Sequence, residues 1–113
     1  MKTMIKSIAA AALLMPCIAA ADTLQQYVIE RELPNAGQLT DQELHNISAR
    51  SAEVLEELGP GIQWQHSYVV DDKIYCVYST HDVNMIRDHG EIGGFPVTRI
   101  SPVSSVLSPP GRP

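Results

Sequence analysis

The side chains best suited to chemistry in this 113-residue sequence are four histidines, His45, His66, His81 and His89, and two cysteines, Cys17 and Cys76. Imidazole, with carboxylate or water completing the shell, suits Ni(II), Cu(II) or Zn(II), and nothing in the set has the spacing of a closed structural zinc site. His81, Met85 and His89 recur at steps of four, so a helix beginning by His81 would align them in one stripe beside Asp88. The competing reading leaves His81 ahead of the helix and packs Met85 on the sheet. His66 lies between Trp64 and Tyr68 in a run rich in strand-forming residues. On an uncovered sheet face it would line a pocket walled by Trp64, Tyr68 and Tyr75, as a ligand or proton shuttle. On a helix-covered face it is a hydrogen-bonded core histidine. His45 belongs to the polar side of a helix. The metal candidates are therefore His66, His89 and His81, the pocket candidates are Trp64, Tyr68 and Tyr75, and no residue is assigned a catalytic role.

Cys76, between Tyr75 and Val77, reads as a small buried apolar residue. Asp71 and Asp72 are adjacent and suit a turn better than acid–base work, in which two carboxylates must flank a substrate. The sequence contains no phosphate-cradling loop, nucleophile elbow, paired-histidine protease helix or CxxC.

These residues must be positioned by a small domain. Eight Lys and Arg against 13 Asp and Glu give a net charge of −5, which argues against a nucleic-acid partner. Lys2 and Lys6 precede an apolar run from Ile8 to Ile18, and small residues end at Ala21, so residues 1–21 read as a signal peptide. A periplasmic or secreted protein without a membrane anchor is expected, and Pro16 argues against lipidation of Cys17. Removing those 21 residues leaves 92, with six basic side chains against 13 acidic ones and one thiol, so no intramolecular disulfide is possible.

The mature segment, residues 22–107, reads as one domain followed by a disordered tail at residues 108–113, where Ser108-Pro109-Pro110-Gly111 dominates. Gln26 to Arg31 favours a strand that ends in a Pro34–Gly37 loop. Thr40-Asp41-Gln42-Glu43 is a capping box, and Leu44, Ile47, Ser51, Val54, Leu55 and Leu58 then recur at helical spacing until Gly59-Pro60. Ile62–Val70 and Lys73–Ser79 predict a hairpin around Asp71-Asp72. A two-residue turn there sets Tyr68 opposite Tyr75 and His66 opposite Val77, and strict alternation puts Trp64 on their face. Asp82 caps a second helix that ends at Gly90 or Gly93-Gly94, and Arg99–Leu107 predicts a last strand, at an edge because of Pro102.

The order β-α-β-β-α-β is the ferredoxin-like arrangement, an α+β fold with an antiparallel sheet and two helices on one face. The small core and the uncovered face lead us to expect a homodimer.

The string Gly59-Pro60-Gly61-Ile62-Gln63-Trp64-Gln65-His66-Ser67-Tyr68-Val69, with Asp71-Asp72-Lys73 and Tyr75-Cys76-Val77-Tyr78, resembles a small bacterial family long catalogued as a domain of unknown function. Glu30-Arg31, Leu39-Thr40-Asp41, Arg50-Ser51, Ile86-Arg87, His89 and Gly94-Phe95-Pro96 extend the likeness over roughly residues 27 to 107. The resemblance implies a ferredoxin-like fold, homodimers of the dimeric α/β-barrel type, and a divalent transition metal, nickel by analogy with a characterised nickel-binding, nickel-responsive member. The alternative is a small-molecule enzyme or binding module of that barrel type, using the His66, Trp64 and Tyr75 sheet face. The sequence departs from the family pattern in its leader, in His81 where proline is more usual, and in Met85 and Gly90 where helix formers are usual.

Overall fold

The computed structural model describes residues 23–111. The expected signal peptide lies outside these residues. Strand β1 (Gln25–Glu32) leads through a short 3-10 turn into helix α1 (Asp41–Leu58), followed by β2 (Ile62–Val69), β3 (Lys73–Thr80), helix α2 (Val83–Gly93) and β4 (Arg99–Pro102). The sheet order is β2-β3-β1-β4 with every neighbour antiparallel, so the chain has the ferredoxin-like α+β arrangement and β4 lies at an edge. No described helix is long and apolar enough to cross a membrane.

Local chemistry explains the elements. The capping box at the start of α1 is complete: Thr40 Oγ1 accepts from the Glu43 amide at 3.1 Å, and Glu43 Oε1 accepts from the Thr40 amide at 2.9 Å. These bonds hold the Glu43 carboxyl below its usual range. Helix α1 directs Ser51 and Val54 into the core and ends at Gly59, whose φ of 89° favours glycine. In α2, Asp82 Oδ1 caps the Asn84 amide at 2.9 Å and Gly94 ends the helix at φ 75°. Gly90 does not terminate it. A Cβ there would lie 2.6 Å from Val97 Cγ2 and 3.0 Å from the Phe95 carbonyl, so glycine is needed for the segment after α2 to fold back against the helix. The Asp71-Asp72 turn serves geometry, as expected: Asp72 accepts from the Asn35 and Leu33 amides and Asp71 from the Gly37 amide, pinning the hairpin tip to the loop after β1.

Three expectations need correction. The barrel type is the first: β2 and β4 remain separate edges, so the described sheet is open and not a closed barrel. Four strands, one only four residues long, leave the two edges too far apart in the order to pair. The last strand also stops at Pro102 and does not reach Leu107. The Val103 amide donating to the Gln26 carbonyl is the last backbone bond between it and β1. The third correction is the alternation along β2. Tyr68 does oppose Tyr75 and His66 does oppose Val77, but Trp64 opposes Tyr78, because Gln65 is an extra residue in a β-bulge. The bulge reverses the alternation and carries Trp64 to the helix-covered face, with Ser67, Cys76 and Tyr78.

The core lies between that face and the helices, around Ile29, Ile62, Ile74, Cys76, Tyr78 and Ile86. The opposite face carries Val28, Glu30, His66, Tyr68, Lys73, Tyr75 and Val77. A Lys73–Glu30 ion pair at 2.9 Å bridges neighbouring strands on it and raises the lysine's pKa.

Candidate functional site

The inward positions of β1 are Tyr27, Ile29 and Arg31, so the strand's period places a guanidinium in the layer that also holds the core isoleucines. Arg31 is only 4% exposed. Its Nε donates to Cys76 Sγ at 3.3 Å and its Nη1 to the Pro96 carbonyl at 2.9 Å, and its head lies 5.6 Å from the Phe95 ring centroid. Nη2 is buried without a hydrogen-bond partner.

Helix α1 contributes Ser51 to the same layer, and α2 contributes His89, which is 1% exposed. Ser51 Oγ lies 3.1 Å from His89 Nε2 and 3.4 Å from the Tyr78 hydroxyl, linking both helices to β3. The turn at Gly94 brings Phe95 back to stack on the His89 ring at 5.2 Å, and Tyr78 packs against that ring at a tilt. His89 Nδ1 has no partner. Burial, reinforced by the Arg31 charge and opposed by a hydrogen bond to the Ser51 backbone, pulls its pKa from 6.5 to about 4. Burial likewise raises the Tyr78 phenol, opposed by its hydrogen bond with Ser51 and by the nearby Arg31.

These groups border a cavity of about 460 Å³ between α1 and the sheet, with Gly93–Pro96 along one side. Leu33, Leu44, Ile47, Trp64 and Ile74 supply apolar wall, and Trp64 is fixed by its Nε1 donating to Ser67 Oγ at 2.9 Å. A mainly apolar recess of this size with a few converging polar groups has the form of a small-molecule site. Ser51 and His89 stand at a nucleophile–base distance, but an imidazole held near pKa 4, with no acceptor on Nδ1, is a weak base at neutral pH. The arrangement is suited to binding and orienting a ligand.

The structure scatters the residues singled out from sequence. His66 is exposed on the uncovered face, with Tyr68 edge-on at 5.0 Å. His89 is buried on the other side of the sheet, so the two cannot share an ion within one chain. His81 is exposed ahead of α2, which begins at Val83, and the proposed stripe through Met85 does not form. Among the described residues no three His, Cys, Asp or Glu side chains are grouped to hold a metal. Tyr68 and Tyr75 remain on the uncovered face, and of the expected pocket trio Trp64 alone borders the cavity. Sequence reasoning passed over Arg31, Ser51, Tyr78 and Phe95. The available signals were a charged residue in the inward phase of a strand and a serine inside the apolar stripe of α1.

Fold and site together define an α+β ferredoxin-like domain with a ligand-sized cavity between its helices and an open sheet. The chain belongs to the SCO4226-like family, whose family model, described as "Nickel responsive protein SCO4226-like", matches residues 27–103. Among solved structures it is similar to that of SCO4226 from Streptomyces coelicolor A3(2), with a TM-score of 0.62 at 13% identity, covering 73% of this chain and 99% of that one. At that identity the likeness carries the fold alone. No curated protein matches the chain.

Proposed function

We propose that this chain is a small-molecule-binding protein whose ligand occupies the cavity between α1 and the sheet. The observation that carries this reading is the recess of about 460 Å³, apolar in its walls, on which Arg31, Ser51, Tyr78 and His89 converge. Trp64, the only tryptophan in the sequence, borders it and reports on occupancy. Neutral aromatic amides such as phenylacetamide should change Trp64 emission saturably and raise the melting temperature. Linear, non-saturating emission and an unmoved melting temperature with these amides and with the corresponding acids would sink the proposal.

A second reading comes from the family description, which names a nickel-responsive protein. We propose that nickel binds through the exposed His66, with water completing the shell, on a homodimer that supplies a His66 from each copy. Support comes from the accessibility of His66 and from the apolar surface of Val28, Tyr75 and Tyr68 around it, which a second copy would cover. Titration calorimetry with Ni(II) should give saturable heat that His66→Ala abolishes and His89→Gln does not. Heat that survives His66→Ala would contradict this reading. We also propose that the protein works in the periplasm or outside the cell, on the strength of Lys2, Lys6, the apolar run after them and the small residues up to Ala21.

A further inference from the structure

We propose that the ligand of the cavity is a small apolar monocarboxylate whose anionic head is held by Arg31. The inference deepens the cavity reading and rests on it. An arginine that is 4% exposed carries its full charge into the core, because a guanidinium does not lose its proton in a protein. Such a charge is stable when an anion faces it. The described ion pairs are Arg50–Glu53 and Lys73–Glu30, and neither involves Arg31. Of its five N–H donors, one goes to Cys76 Sγ and one to the Pro96 carbonyl, while Nη2 has no acceptor. Nη2 is thus left to donate to a carboxylate oxygen, a charge-assisted hydrogen bond.

The neighbours set the ligand's charge and body. His89 is held neutral at physiological pH, so among the described residues Arg31 is the single cation bordering the cavity, which favours a monoanion over a dianion. Trp64 and Phe95 provide aromatic surface, and Ile47 and Ile74 aliphatic surface. The volume lies at the lower end of the range for small-molecule sites, which points to a compact aryl or branched alkyl acid.

The test compares benzoate, phenylacetate and 3-phenylpropionate with their amides at pH 7, followed by Trp64 emission and melting temperature. One charge-assisted hydrogen-bonded pair corresponds to a preference of about tenfold to a hundredfold. At least one acid should therefore bind more than tenfold tighter than its amide. Arg31→Gln should erase the preference and Arg31→Lys keep part of it, and the wild-type ratio decides the matter even where Arg31→Gln fails to fold. Amides that bind as tightly as acids, or an acid preference that persists in Arg31→Gln, overturn the carboxylate inference and leave the cavity reading standing. If neither acids nor amides bind the wild-type protein, both fall.

Discussion

Ile29→Ala is expected to destabilise the domain by about 2 to 5 kcal/mol, the usual cost of emptying a fully buried isoleucine site. Ile29 is 0% exposed on β1, the strand flanked by β3 and β4, and it faces Cys76 and Ile100 across the two ladders. Both neighbours are held in register by backbone bonds, so the sheet cannot collapse into the space left behind. A small domain has a total stability of about 5 to 15 kcal/mol, so this single change removes a large share. Urea unfolding should show a lower midpoint with an unchanged slope. Val28→Ala, one residue along the strand on the uncovered face, should cost clearly less. Equal losses at the two positions would mean that both faces of β1 are core, contrary to the open sheet.

Acidification should weaken the fold through His89. Above pH 6.5 its imidazole is neutral whether the chain is folded or not, and it contributes no pH dependence. As the pH falls below 6.5 the unfolded chain takes up a proton there, whereas the folded chain resists until about pH 4. The unfolded state binds more protons throughout that interval, so stability is lost between pH 6.5 and about 4 and the loss levels off below it. The full shift corresponds to about 3 kcal/mol. Glu43 acts in a separate window. Its lowered pKa supports α1 above 4.5 and is lost only as the pH falls below that value. Urea midpoints for wild type and His89→Gln at intervals between pH 7 and 4 separate the two groups: the slope from 6.5 to about 4 should be much reduced in the variant. An unchanged slope would show that His89 is not the group responsible.

The fold was largely legible because its signals are local. Thr40 and Glu43 announce α1, Gly59 closes it, and Asp71-Asp72 joins β2 to β3, each through bonds made within a few residues or by one turn. The bulge at Gln65 was not legible, since alternation along a strand assumes one residue per partner and only the pairing with β3 shows two. That one residue decides which face Trp64 joins, and with it where the aromatic wall of the cavity lies. The site itself depends on long-range convergence. Arg31, Ser51, His89 and Phe95 come from four segments, and no spacing relates them. His89 stood out as a potential metal ligand, but its burial between Tyr78 and Phe95 and its bond to Ser51 follow from helix packing that the sequence does not display.

The cavity is the centre of this account, and chemical-shift mapping tests it most directly. The ¹⁵N-labelled protein, titrated with phenylacetate at pH 7, should show its largest saturable shifts at Arg31, Ser51, Trp64, Tyr78, His89 and Phe95. No saturable shift at any of these with phenylacetate, the other two acids or their amides, or shifts confined to His66, Tyr68 and Tyr75 on the uncovered face, would contradict it.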